Sequence, residues 1–219
     1  MALNINGTTG ISGVDGSVSA PAVTGTDTNT GITFPSADTI KLSTGGVERM
    51  SITNNGVTSS GHVIQVVSTT KTDTASQASV AAGGKWSNTD FKATITPTSA
   101  SNKLLIFGIA SFDTGNYSQA LYLQKDGSDL TAAMGTPAGS RKGTVSQILD
   151  ADGAAFQQVQ HSFQFLDTAG DTNERFYNLA IGHGRNAAVN IFMNRSSTDS
   201  DNAQQFRTQS TITVMEIAA

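Results

Sequence analysis

The sequence predicts an all-β chain: an extended Gly/Thr-rich N-terminal arm or stalk followed by an antiparallel jelly-roll β-sandwich. Three observations carry that reading. Short stretches in which apolar and polar residues alternate recur along the chain, separated by turn dipeptides such as Asn55-Gly56 and Asp126-Gly127. Ser and Thr make up about a quarter of the 219 residues, Gly contributes 22, and charged residues are only 14 %, against roughly a quarter in an ordinary soluble domain. Of the 10 Phe, 3 Tyr and 1 Trp, only Phe34 precedes Trp86. That asymmetry divides the chain into an arm, residues 1–61, and a head, residues 62–219.

In the arm, Asp15-Gly16, Gly45-Gly46 and the Asn54-Asn55-Gly56 cluster read as tight turns. Alternating segments at 39–43 and 47–53 read as short strands, and no window supports a helix. A segment of this length with one aromatic residue buries too little apolar area to offset ~1–2 kcal/mol of backbone entropy per residue. Either it is a disordered tail, or its order comes from intertwining with identical chains or docking onto a larger body; the expectation is an ordered, oligomeric stalk or docking arm. The head opens with a strand over 62–68. Residues 91–96 alternate, with Phe91, Ala93 and Ile95 on one face, before Pro97 turns the chain. Residues 104–110 are almost continuously apolar, as in a strand covered on both faces. A strand over 117–124 runs into the hairpin signal Asp126-Gly127, and further strands are expected at 156–166, 175–181, 188–193 and 207–217. That spacing fits a sandwich or jelly roll of about 160 residues. Apolar residues on both faces of several strands (Tyr122 opposite Leu121 and Leu123, Phe192 opposite Ile191 and Met193, Met215 and Ile217 opposite Ile212 and Val214) predict a covered outer face, by a subunit interface ahead of a central position in the sheet or a covering loop.

Composition excludes several kinds of chemistry. A net charge of −4 gives no basic field for nucleic acid. With no Cys, disulfides, thiolate zinc sites and Cys nucleophiles are impossible. No apolar run approaches the ~20 residues that span a bilayer, and the start lacks the pattern of a signal peptide, so neither membrane insertion nor secretion is expected. Residues 135–144 have the composition of a phosphate-binding loop without its spacing and read as a surface loop. His161 shares a face with Val159, Phe163 and Phe165 and reads as a hydrogen-bonded core or interface residue, ahead of a metal ligand on a three-fold axis. His183 reads as a loop residue and His62 as a polar strand start. The acidic segments 150–153 and 198–202 read as solvated hairpin tips ahead of calcium loops. Asn116, Tyr117 and Arg185 are loop candidates for a contact surface. No catalytic, cofactor-binding or metal residue is assigned, no cofactor is expected, and the chain is read as non-enzymatic.

The arm resembles a segment recurring near the start of appendage proteins of marine tailed phages. The matching elements are Asp15-Gly16-Ser17 with Ser19 and Pro21, Asp27-Thr28-Asn29-Thr30-Gly31-Ile32, and Gly45-Gly46-Val47-Glu48-Arg49-Met50, in order and closely spaced. Residues 95–106 and the closing stretch 210–217 are similar to the jelly-roll heads of phage fibres and spikes, which share the form of the trimeric C1q/tumour-necrosis-factor fold. The resemblance implies a homotrimeric virion surface protein without catalytic residues. It further implies synthesis in the host cytoplasm and attachment to capsid, neck or tail proteins through the arm. The arm then serves particle attachment and trimerisation, and the head faces out. A fibre or spike role adds a host-surface glycan or protein as partner. The alternatives are a capsid head-decoration or cement protein and, with less support, a carbohydrate-active depolymerase spike.

Overall fold

The computed structural model describes residues 4–6, 10–12, 15–54, 56–115, 118–148 and 158–219. Among these, strands dominate and no α-helix occurs. The chain divides into two compact units, Met1–Ile64 with Ile217–Ala219, and Gln65–Glu216.

In the first unit β1 (Asn4–Asn6) pairs with β2 (Gly10–Ser12), and β3 (Gly16–Ser17) with β4 (Ala20–Pro21). A five-stranded antiparallel meander follows in sequence order: β5 (Val23–Thr24), β6 (Gly31–Thr33), β7 (Ile40–Thr44), β8 (Val47–Thr53) and β9 (Gly56–Thr58). Thr44 pairs with Val47 across the two-residue loop Gly45-Gly46, at φ 59° and 74°. Two successive positive φ values match the right-handed twist of a hairpin and are cheapest for glycine. The expected turn at Asp15-Gly16 is corrected. The β3–β4 hairpin turns at Val18-Ser19, and Gly16 is a strand residue whose missing Cβ would lie 2.3 Å from the Ala22 nitrogen.

The remaining strands are β10 (Val63–Lys71), β11 (Ala75–Val80), β12 (Lys85–Ile95), β13 (Lys103–Asp113), β14 (Gln119–Lys125), β15 (Ser128–Asp129), β16 (Ser146–Ile148), β17 (Val159–Thr168), β18 (Arg175–His183), β19 (Val189–Met193) and β20 (Ser210–Ile217). The first sheet runs β17-β13-β20-β10, with β19 and then β11 continuing from the far end of β13. The second runs β12-β18-β14-β16, with β15 sharing the edge of β14. Successive strands cross repeatedly between the sheets and β20 is inserted between β10 and β13. This order is a jelly roll.

The core lies between the sheets. Phe91, Ala93 and Ile95 are all buried, as their alternation requires, against Leu104, Ile106, Leu121, Leu123, Tyr177, Leu179, Ile212 and Val214. The Phe163 ring fills the space above its cross-strand partner Gly108, where a Cβ would meet it at 3.0 Å and the Thr211 carbonyl at 2.0 Å. Glu216 is fully buried and ties three segments together. Its Oε1 accepts from the Thr98 amide at 2.7 Å and Asn102 Nδ2 at 2.7 Å, and its Oε2 from Gln65 Nε2 at 2.5 Å. Burial alone would raise its pKa; the hydrogen bonds outweigh it and hold the carboxyl below its usual range.

β13 departs from expectation on its outer side. Leu104, Ile106 and Ala110 are buried, but Leu105, Phe107 and Ile109 on the other face are only half-buried. His183 is corrected too: it ends β18, is buried, and its Nε2 contacts the Val80 carbonyl at 3.3 Å.

Candidate functional site

The arm's meander has its polarity reversed relative to an isolated sheet. Cross-strand register places Val23, Ile32, Leu42 and Met50 in one row and Ile40, Ile52 and Val57 in the next. These residues share one face, because side chains two apart on a strand point the same way. A bulge after Leu42 brings Val47 to the same side. Val23, Ile40, Leu42, Val47, Ile52 and Val57 are 36–54 % exposed. Arg49 marks the rim through its Nε bond to Thr44 Oγ1 at 2.9 Å. On the opposite face Thr33, Ser43 and Ser51 are buried, and the β3–β4 hairpin packs over β6 with Pro21 buried. Hydroxyls are enclosed while branched aliphatics meet water, which leaves apolar area on this face uncovered.

A second feature lies in the head, on the outer face of the β12-β18-β14-β16 sheet. Its floor is built of small residues, Ala120, Ala180, Gly182 and Gly84, around the ring of Tyr122. Gly182 is required there, since a Cβ would sit 2.9 Å from Tyr122 Cε2. The loop between β15 and β16 forms the wall. It is fastened by the Lys85–Asp129 ion pair and by Lys142 Nζ donating to the Gly83 carbonyl at 2.5 Å. Beneath it, buried Gln124 donates through Nε2 to Asp129 and accepts from Ser87 Oγ and Asn178 Nδ2. Burial opposes ionisation of Asp129, but the Lys85 and Gln124 bonds prevail and keep its carboxyl below the usual range. Burial, aided by Asp129, raises the Tyr122 phenol.

Two compartments open along this floor, one of about 510 Å³ and one of about 530 Å³, and both are lined by Gly83, Tyr122 and Lys142. The first adds Met134, Pro137 and Thr131; the second adds Ser118, Ser140, Arg141, Thr144 and Gln147. Each lies within the usual range of small-ligand sites.

The histidines and acidic segments are placed differently. His161 is buried in the core, its Nδ1 2.8 Å from Ser146 Oγ, and burial pushes its pKa down to about 4. Its Nε2 has no partner among the described residues, so none of their carboxylates orients the ring as a serine–histidine–acid relay requires. His62 is exposed, and its carbonyl accepts from the Ala218 amide at 2.8 Å. Asp199 is already paired with Arg207 at 3.0 Å and Arg195 at 3.9 Å. Asp150, Asp152, Asn116 and Tyr117 lie outside the described residues. Arg185 is exposed beside the cleft, its carbonyl accepting from the Gly83 amide at 2.9 Å. Sequence reasoning missed the cleft itself, because its floor and wall come from segments up to a hundred residues apart.

No family model matches the chain, and no curated protein does. Similar solved structures come from infectious bursal disease virus. The Gx strain is 17 % identical over 74 % of this chain and 38 % of that one, with a TM-score of 0.33. A subviral particle is 14 % identical over 83 % and 48 %, at 0.34, and the T13 viral particle 14 % over 94 % and 53 %, at 0.37. The chain thus spans between 38 % and 53 % of the length of those chains. At these scores the likeness carries no argument, and the jelly roll stands on its strand order.

Proposed function

We propose that the chain is a non-enzymatic structural protein of a phage virion, a homotrimeric surface appendage of the fibre or spike kind. Its arm assembles and attaches it, and its head faces outward to contribute to host-surface adhesion. The observation that carries this reading is the outward aliphatic face of the arm's meander. Its resemblance to the N-terminal segment of marine tailed-phage appendages supports it.

The occupant of that face is the same face on two further copies. Apart from Arg49 at the rim it presents no charge, so identical copies meet without burying like charges. Five strands ~4.8 Å apart, with ~3.3 Å per residue along them, give a face on the order of 300–400 Å². That is well below the ~800 Å² per partner of a stable complex. One pair of arms is therefore insufficient, and closed cyclic symmetry with a second contact is needed. The outer face of the first head sheet offers one. There Val66 and Leu166 are 53 % and 52 % exposed beside half-buried Leu105, Phe107, Ile109 and Met215.

Light scattering of the full chain is expected to give about three times the 22.6 kDa chain mass. Replacing Leu42 and Ile52 together by Asp should raise the concentration needed for that assembly at least tenfold. A single-chain mass for the unaltered protein at micromolar concentration would overturn the reading.

A further inference from the structure

We propose that the cleft on the outer face of the second head sheet is a binding site for an acidic saccharide. It rests on the adhesive half of the proposed function and names the ligand class.

Shape is the first argument. The two compartments lie side by side, with Gly83, Tyr122 and Lys142 in the lining of both. Adjacent compartments of this size suit neighbouring units of one chain better than a single compact ligand. The lining is the second. Ser118, Ser140, Thr144 and Gln147 surround the second compartment, and Thr131 the first, giving donors and acceptors suited to a ring of hydroxyls. Tyr122, Met134 and Pro137 supply the apolar surface on which a sugar's C–H face rests.

Charge is the third argument, and it selects an anion. The chain carries −4 overall, yet the second compartment is lined by Arg141 and Lys142 and by no carboxylate. Arg141 is held through Nε on the Ala138 carbonyl at 3.2 Å and Lys142 through Nζ on the Gly83 carbonyl. Among the described residues neither has a carboxylate at ion-pair distance. Carbonyl oxygens position these cations without neutralising them. In the first compartment Asp129 is committed to Lys85. The loop of residues 135–144, whose composition but not spacing suggested phosphate binding, thus presents two uncompensated cations to a hydroxyl-lined compartment. A guanidinium and an ammonium in the lining of one compartment fit a carboxylate-bearing sugar.

The test is calorimetric titration of the full chain with an oligogalacturonate, a neutral malto-oligosaccharide and sodium sulfate. The oligogalacturonate is expected to bind with a dissociation constant below millimolar, and Arg141→Gln to weaken it at least tenfold. Arg207→Gln, beside Asp199 and away from the cleft, should leave it unchanged. Equal binding of the neutral sugar, or no effect of Arg141→Gln, would overturn the acidic class. Sulfate binding as tightly as the oligogalacturonate would overturn the saccharide, and no binding at millimolar ligand would overturn the site. The mass of the same variants by light scattering keeps this result separate from the trimeric reading, since Arg141→Gln should still assemble.

Discussion

His161 shows what a single buried titratable group does to this fold. Burial lowers its pKa from 6.5 to about 4, so in the folded state the ring stays neutral where the unfolded chain would already protonate it. The stability it allows is fully present above about pH 6.5, is lost progressively as pH falls toward about 4, and changes no further below that. The loss amounts to about 3 kcal/mol at most. In denaturant titrations across that window His161→Gln should therefore flatten the decline relative to the unaltered chain. It should also lower stability at neutral pH by about 1 kcal/mol through the altered bond to Ser146. Parallel pH profiles for the two proteins would contradict this account.

Single elements differ in how plainly the sequence announces them. The second half of β12 was legible because Phe91, Ala93 and Ile95 keep strict alternation up to Pro97, whereas its first half, before the register shift between Asn88 and Lys92, was not. The Asp126-Gly127 hairpin was legible because an Asp-Gly pair readily takes the positive φ values found there, 51° and 75°. β11 was not, because Ala75–Val80 is polar along most of its length and owes its strand state to pairing with β19. Asp15-Gly16 misled for a related reason: a glycine needed for close backbone approach looks in sequence like one needed for a turn. The cleft was visible only as the composition of its wall, since Tyr122 and Gly182 meet that loop through pairing alone. Gly108 gives a test at this scale. An added Cβ collides with the Thr211 carbonyl across the sheet, so Gly108→Ala should lower the denaturation midpoint by an amount equivalent to about 1–3 kcal/mol, with an unchanged denaturant slope. An unshifted midpoint would show that β13 and β20 can separate locally without cost.

At the scale of the whole molecule the two units divide labour by where their apolar residues go. The head encloses them between two sheets, whereas the arm's meander turns them outward. Removing residues 1–61 should leave a head that melts in one cooperative transition but no longer joins the particle, and that associates only at higher concentration than the full chain. Scanning calorimetry and copy counting on purified particles check both outcomes. Incorporation at normal copy number would mean that the head docks and the arm faces out.

The position of β20 between β10 and β13 also fixes an order of events in time. The contact between Gln65 and Glu216 spans 151 residues, so the centre of the first head sheet cannot form until Glu216 has left the ribosome. Each hairpin of the β5–β9 meander closes over a few residues, a step of microseconds. During synthesis the arm's hairpins can thus form, with their aliphatic face uncovered, while the head is still incomplete. On the trimeric reading proposed above, arms on neighbouring ribosomes would meet first and register the three chains before their heads close.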